Sequence, residues 1–312
     1  MRVGILGGGG ISDTHARAAR AIDGVQVVAV HGANREKATA LAQAAGAAAF
    51  DDFDAFLAQP MDIVAIGSPS GLHAEQAIAA VRRGIHVLVE KPLDTTTAKI
   101  DALIAEADRA RVKVGVFFQE RLTPELIELK ASLDAGALGD PVFISGHVKW
   151  YRPPEYYGAS RWRGTWKLDG GGALMNQGIH TVDVLLWLFG PVKSVMGRTA
   201  NRLHQVEVED TATALLEFES GAFGTIEATT AAFPGFPRRL EVSGTKGTVV
   251  HDEPARTAAV ADATPHRRVF EDFIAAIRSD GAPMCDAREG RRSVAVIEAI
   301  YRSARSGKAE TP

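Results

Sequence analysis

The sequence predicts an α/β chain: an N-terminal doubly wound parallel sheet, then an α+β domain with a largely antiparallel, open-faced sheet. Three observations carry this. Up to about residue 120, short β-branched runs alternate with alanine-rich helical segments, the βαβ rhythm of a parallel sheet. The first of these runs ends in a glycine-rich turn, Gly7-Gly8-Gly9-Gly10. Later strands alternate in polarity: within 208–219, Ala212, Ala214, Leu216 and Phe218 share one face while Thr211, Thr213 and Glu217 share the other. The expected division is 1–120 for a dinucleotide-binding domain and 121–312 for a substrate-binding and oligomerisation domain.

In chain order, the spacing predicts strands at 2–7, 25–31, 62–67, 86–90 and 112–118, with helices near 10–22, 34–45, 71–83 and 95–110 between them. After Pro124 come one helix, a strand at 141–150, a long loop rich in Tyr, Trp, Arg and Pro, a helix at 173–189, and successive strands. Amphipathic segments at 266–279 and 287–306 close the chain, the first ending near Ser279-Asp280-Gly281 in a helix stop signal. No internal repeat or low-complexity linker is visible.

Bulk composition excludes several function classes. At 312 residues, 46% hydrophobic and 23% charged, the chain is long enough for two domains with substantial cores. A net charge of -3 with scattered arginines gives no footprint for nucleic acid, so a small molecule is the expected ligand. The one cysteine, Cys285, cannot form an internal disulfide, and a core strand begins at once, leaving no room for a signal peptide; both point to the cytoplasm. No apolar run reaches the roughly 18 to 20 residues of a membrane span. Nine dispersed histidines without an HExxH motif suggest no metal, and the absence of a Gly-x-Ser-x-Gly elbow or a G-K-[ST] loop disfavours hydrolase and P-loop readings.

Gly7, Gly9 and Ser12 fill the three positions of a G-x-G-x-x-G pattern, with Ser12 small enough to keep the helix close to the strand. Between a strand and a helix, such a turn brings backbone N–H groups, those of Gly10 and Ile11 included, against a pyrophosphate. The second strand lacks the acid that usually accepts from the adenosine ribose: Gly32 stands there, followed by Asn34, Arg35 and Lys37. Losing a carboxylate and gaining cations favours NADP over NAD, the competing reading being that Arg35 and Lys37 are the solvated first turn of a helix.

Ile85-His86-Val87-Leu88-Val89 reads as a buried parallel strand, so Glu90-Lys91-Pro92 emerges at its carboxyl end, where ligands bind in such folds. A lysine there can hydrogen-bond a hydroxyl that loses its proton as hydride leaves. The glycine turn and this lysine together point to a nicotinamide-dependent oxidoreductase. A lysine merely capping a strand end is the alternative for a lone E-K-P.

Six ordered motifs add to this reading: Gly7 to Ala16; Ser68-Pro69-Ser70-Gly71-Leu72-His73; Glu90-Lys91-Pro92-Leu93; Trp162-Arg163-Gly164; Gly170-Gly171-Gly172-Ala173-Leu174-Met175-Asn176-Gln177-Gly178-Ile179-His180-Thr181-Val182-Asp183; and Gly244-Thr245-Lys246-Gly247. Over nearly its whole length the chain resembles the Gfo/Idh/MocA oxidoreductases. The resemblance implies a Rossmann domain in which Ser68, Pro69, His73 and Glu90 line the nicotinamide end of the cofactor, with a cis Lys91-Pro92 bond. It also implies that Trp162 and Arg163 reach towards the cofactor, and that Lys91 and His180 form the acid/base pair. Gln119, just past strand 112–118, completes the expected cofactor set.

One position departs from the pattern. Many polyol dehydrogenases of the family carry Asp four residues before the histidine, where this chain has Asn176, which can hydrogen-bond a hydroxyl but cannot accept a proton. Asn176-Gln177-Gly178-Ile179-His180 is similar instead to the family's nucleotide-sugar 3-dehydrogenases, which points to a sugar derivative. For His180 the competing reading is a satisfied core histidine, and Asp183 is as readily structural.

The loop 149–167 is dense in aromatics and arginines, suiting sugar recognition, with Tyr151, Arg152 and Tyr157 as substrate candidates; a subunit interface draws on the same residue types. Arg161 and Arg238 are further candidates for an anionic group, and Glu120-Arg121 for a rim. The region 251–265 is shorter than the family's usual loop and hairpin. By resemblance a homodimer or homotetramer is expected through the open sheet face. Two competing functions stand beside the sugar dehydrogenase: an oxidoreductase that recycles tightly held cofactor, and a non-catalytic NAD(P)-binding redox or ligand sensor.

Overall fold

Six parallel strands form the framework of the first unit: β1 (Arg2–Leu6), β2 (Gln26–His31), β3 (Ala48–Phe50), β4 (Ile63–Ile66), β5 (His86–Val89) and β6 (Val114–Val116). In the computed structural model, which describes residues 1–253 and 262–312, they lie in the order β3-β2-β1-β4-β5-β6. The order reverses between β1 and β4, the switch point at which such sheets bind ligands. Helices α1 (Gly10–Arg20), α2 (Arg35–Ala45), α3 (Phe53–Leu57), α4 (His73–Val81) and α5 (Thr97–Ala110) connect the strands. All four residues of β4 are fully buried, as an apolar run covered on both faces requires. The spacing misses β3 and α3, whose three and five residues are too short to show a period.

The chain divides between Leu122 and Thr123, and the segment ending at Arg291 belongs to the first unit rather than to the second, where the sequence placed it. The reason is α9 (Thr264–Ser279): its apolar stripe of Val269, Phe270, Phe273 and Ile274 joins the same buried cluster as Val3, Ile5, Val27 and Val30. Of the expectation on 251–265, residues 254–261 lie outside the described residues. Among the described residues, no helix is long and apolar enough to cross a membrane.

The second unit opens with α6 (Pro124–Asp134) and contains β7 (Pro141–Lys149), α7 (Pro154–Gly158), β8 (Val192–Ala200), β9 (Thr211–Phe218), β10 (Phe223–Thr229), β11 (Arg238–Gly244) and β12 (Gly247–Glu253). Its sheet runs β12-β11-β7-β10-β9-β8, antiparallel except where β7 and β10 pair in parallel. The alternation is as expected: Ala212, Ala214, Leu216 and Phe218 are buried, whereas Met196, Leu215, Phe223, Phe143 and Val250 project from the other face. Strand β9 starts at Thr211 rather than 208, because Glu209 and Asp210 serve other partners. The Asp210 carboxylate accepts from the N–H groups of Arg202, Leu203 and His204.

Glu209 receives the start of a helix. A π-helical turn, Ala173–Gly178, runs directly into α8 (Ile179–Phe189). The Gly172 N–H donates to Glu209 Oε2 (3.0 Å), the Ala173 N–H to the Glu209 carbonyl (2.9 Å) and the Leu174 N–H to Glu209 Oε1 (2.8 Å). The Tyr301 hydroxyl donates to Glu209 Oε1 (2.9 Å). Tyr301 lies on α10 (Ala287–Ser306), whose residues from Arg292 onward belong to the second unit.

Burial pushes the Glu209 carboxyl from 4.5 up to about 7, against the pull of the Leu174 and Gly172 N–H groups and the Tyr301 hydroxyl. Because the folded value exceeds the unfolded one, this group's contribution to stability is full below the unfolded pKa and is lost as pH rises through about 7. Between about pH 5 and 8 the melting temperature of the wild type should therefore fall more steeply than that of Glu209→Gln, in which nothing titrates at this site. Parallel slopes in a thermal-denaturation series would contradict this.

Candidate active site

In the first unit, β1 passes into α1 through a turn that only glycine allows. Gly7 has φ +136, and a Cβ there would lie 2.3 Å from Ser12 Oγ and 2.8 Å from the Gly67 carbonyl oxygen. Gly9 and Gly10 are exposed, with nothing within 4 Å of where a Cβ would stand, and no side chain caps α1. The first N–H groups of a helix lack intrahelical acceptors, so Gly10, Ile11 and Ser12 form a donor set for a pyrophosphate. Ser12 Oγ and Gln119 Oε1 are buried without a hydrogen-bond partner. An uncapped helix start and two orphaned polar atoms fit a dinucleotide.

At the end of β2, Gly32 packs tightly: a Cβ there would approach the Gly7 carbonyl carbon at 3.0 Å and the Gly8 nitrogen at 3.1 Å. Asn34 caps α2, its Oδ1 accepting from the Lys37 N–H (3.0 Å). Arg35 is exposed, with Nε 3.2 Å from Asp51.

Beyond β4 and β5, His73 ties two loops together: its ring nitrogens lie 2.8 Å from the carbonyl oxygens of Pro92 and Ser68. Ser68 Oγ donates to Gln76, Pro69 is half-buried, and the Lys91-Pro92 peptide is cis. Lys91 is half-buried, and its N–H donates to Glu90 Oε2 (3.1 Å). Glu90 Oε1 lies 3.0 Å from His15 Nε2 and 3.4 Å from His266 Nε2. Burial favours a neutral Glu90, but the hydrogen bonds and charges of His15 and His266 outweigh it and hold the carboxyl well below its usual range. Burial lowers the His15 imidazole in spite of Glu90, and the ring stacks 4.3 Å from Phe117.

His15, Glu90 and His266 are the one group with metal-ligand spacing among the described residues, their ligand atoms lying within 4.8 Å of one another. Neither Nδ1 has the outer acceptor that a metal-bound imidazole ordinarily holds, and both Nε2 atoms face one carboxylate oxygen, so hydrogen bonding accounts for the group.

In the second unit, a chain of side-chain hydrogen bonds surrounds Asn176. Arg152 donates to Gln177 Oε1 (2.9 Å), and Gln177 Nε2 donates to the Tyr156 hydroxyl and to Asn176 Oδ1 (both 2.9 Å). Asn176 Nδ2 donates to Asp169, whose second oxygen accepts the Gly164 N–H (2.8 Å). The Arg163 guanidinium lies 4.5 Å from the Tyr156 ring centroid and that of Arg152 5.4 Å, placing two cations on one ring. Arg163 also lies 5.4 Å from the Trp162 ring. His180 is buried in the first turn of α8, and Asp183, fully buried, accepts from Ser293 (3.2 Å).

The other candidates are placed as follows. Tyr157 bonds Thr230 (2.9 Å), and burial raises its hydroxyl to about 12. Tyr151 does not join the Asn176 chain: it alternates with Arg152 along the strand's extension and packs edge-on against the exposed Phe233, ring centroids 5.2 Å apart. Arg161 is exposed. Two expectations are corrected. Arg238 is buried and bonded to Glu253, so it does not await an anion. Glu120-Arg121 is no rim, since both are buried and Arg121 donates to Glu289 (2.9 Å).

Sequence reading missed His266, Tyr156, Asp169 and Glu209. Tyr156 lies within the aromatic loop already singled out, and Asp169 left a trace as the acid directly before the glycine run; His266 and Glu209 left none.

Residues 1–118 match the family model described as an oxidoreductase family with an NAD-binding Rossmann fold, and residues 126–250 match the GFO/IDH/MocA C-terminal domain. Among solved structures, the WlbA dehydrogenase from Bordetella pertussis in complex with NADH and UDP-GlcNAcA is similar at 35% identity, covering 99% of this chain and 97% of that one with a TM-score of 0.93. Inositol 2-dehydrogenase 2 of Saccharopolyspora erythraea is 30% identical over 98% of this chain and 94% of its own length. D-apiose dehydrogenase of Paraburkholderia graminis is 27% identical over 97% and 88%. With both units matched and these relatives aligned end to end, the chain belongs to the GFO/IDH/MocA family of NAD-binding oxidoreductases.

Proposed function

We propose that the protein is an NAD(P)-dependent dehydrogenase that moves a hydride between the nicotinamide and a secondary alcohol or ketone carbon of a sugar derivative bearing an anionic group, a sugar acid or nucleotide sugar. The observation that carries this reading is the chain Arg152, Gln177, Asn176 and Asp169 with Arg163 beside it. It sets two guanidinium groups, the donors best suited to carboxylate and phosphate, near the hydroxyl-binding amide: Arg152 is bonded to the neighbouring Gln177, and Arg163 lies against Tyr156, which Gln177 also bonds. The bound UDP-GlcNAcA of the Bordetella relative is of the same chemical class.

When bound, the nicotinamide accepts or returns the hydride at C4. The N–H groups at the start of α1 would hold the pyrophosphate, and Ser12 and Gln119, whose buried side-chain oxygens lack a partner, would add contacts to the dinucleotide. Lys91 and His180 take up and return the hydroxyl proton. Asn176, with both ends of its amide engaged, orients that hydroxyl without accepting its proton. Gly32 offers no carboxylate to repel a 2′-phosphate and Arg35 is exposed, which supports NADP as the modestly favoured cofactor with NAD also accepted. The apolar outer face of the second sheet supports a homodimer or homotetramer, and the lone buried thiol of Cys285 suits a cytoplasmic setting.

Nicotinamide absorbance across sugars, polyols, sugar acids and nucleotide sugars tests the reading. Lys91→Ala should lower kcat by about 10²–10⁴-fold while NADH still binds. Arg163→Ala should raise KM for an anionic sugar roughly tenfold or more and leave a neutral polyol unaffected. Turnover confined to neutral polyols would overturn the anionic-substrate reading. For the cofactor, Arg35→Ala should reduce kcat/KM for NADP about tenfold with little change for NAD, and a wild type that ignores NADP would refute the preference. Sedimentation equilibrium should return a dimer or tetramer, and a monomer at micromolar concentration would contradict the assembly.

A further inference from the structure

We propose that Glu209 and Tyr301 are positioning residues for proton transfer: together they seat the first turn of the helix 173–189 and so fix where Asn176 and His180 stand. This rests on the roles given above to Asn176 and His180. The Glu209 oxygens are taken up by main-chain N–H groups and by the Tyr301 hydroxyl, so the effect of this pair runs through the main chain.

The N–H groups of Gly172, Ala173, Leu174 and Met175 are the ones a helix start leaves without internal acceptors. Those of Gly172, Ala173 and Leu174 all find their acceptors on Glu209, and the Tyr301 hydroxyl holds the Glu209 carboxylate in place by donating to Oε1. Asn176 is the next residue, and its N–H bonds back to the Gly172 carbonyl (3.0 Å), the first bond made within the helix. Asn176 therefore stands directly on the seat, and His180 follows it by four residues on the same helix. The opening turn is π-helical, a rare winding that occurs mostly where function requires it, so its register depends on what holds it.

The glycine run belongs to the same device. A Cβ on Gly171 (φ +159) would lie 2.1 Å from the Tyr301 hydroxyl, and one on Gly172 would lie 1.9 Å from the Glu209 carbonyl oxygen. The backbone comes this close to Glu209 and Tyr301 only because these positions carry no side chain. Removing an acceptor leaves buried N–H groups unmatched, and the turn then shifts towards another register or opens to water.

The test pairs Glu209→Gln, which sets an amide donor against N–H groups that need acceptors, with Tyr301→Phe, which keeps the ring and the carboxylate. kcat and KM, NADH affinity by fluorescence titration, and hydrogen–deuterium exchange of peptides covering 170–180 are measured on the full chain. Glu209→Gln should lose about tenfold or more in kcat per folded molecule, with NADH affinity unchanged and faster exchange across 170–180. Tyr301→Phe should show the same changes at smaller size. A merely structural role would lower the melting temperature and the folded fraction but not kcat per folded molecule. A folded Glu209→Gln with wild-type kcat and exchange overturns the proposal. If that variant does not fold, unchanged kcat and exchange in Tyr301→Phe overturn it. If the wild type oxidises none of the sugars, the functional reading fails on its own, and exchange still decides the seat: acceleration confined to 170–180 supports it, and unchanged exchange removes it.

Discussion

A helix begins with N–H groups that its own carbonyls cannot reach, and the two units meet this constraint in opposite ways. In the first, α1 starts at exposed glycines with no side-chain cap on its first N–H groups. In the second, the N–H groups of Gly172, Ala173 and Leu174 at the start of helix 173–189 are taken by the carboxylate and the carbonyl of Glu209. Leaving the first set open makes a place for an anion. Closing the second from within keeps anions away and fixes the backbone instead. Both arrangements need glycine, but for different reasons: at Gly7 to let the turn pass under Ser12, and at Gly171 and Gly172 to let Tyr301 and Glu209 approach.

Glu90 shows how a buried charge can serve the same end. A desolvated carboxylate is costly unless it is fully hydrogen-bonded, and here the cost is met by His15, His266 and the Lys91 N–H. Because the last of these is the main chain of the next residue, the bonds that keep Glu90 ionised also fix the backbone from which Lys91 extends. His266 comes from α9, which explains why a segment late in the chain packs in the first unit: its aromatic stripe supplies the core, and its first turn supplies a partner for Glu90.

What the sequence made legible follows from what is local. Strand β9 declared its faces by simple alternation, the glycine turn declared itself by its neighbours, and Asn176 and His180 stood out by helical spacing. The amphipathic stripe of α9 was equally plain, yet a stripe says that a face is buried and not against which sheet. Tyr156 and Tyr157 are adjacent and chemically alike, and only the path of α7 decides that Tyr156 meets Gln177 while Tyr157 turns to Thr230. Glu209 read as the start of a strand because its partners lie more than thirty residues earlier and about ninety later in the chain.

The replacement of an acid by Asn176 is not a simple loss of charge from this element. Asp169 accepts the N–H of the amide, so a carboxylate remains within one hydrogen bond of Asn176. An amide held by Asp169 on one side and Gln177 on the other cannot turn over, and it presents fixed donor and acceptor directions to a hydroxyl. Through Gln177 the same chain reaches Arg152. Under the function proposed above, a negative group drawn to the arginines and a hydroxyl held at Asn176 would be read by one connected network. That is a reason for a substrate to carry both.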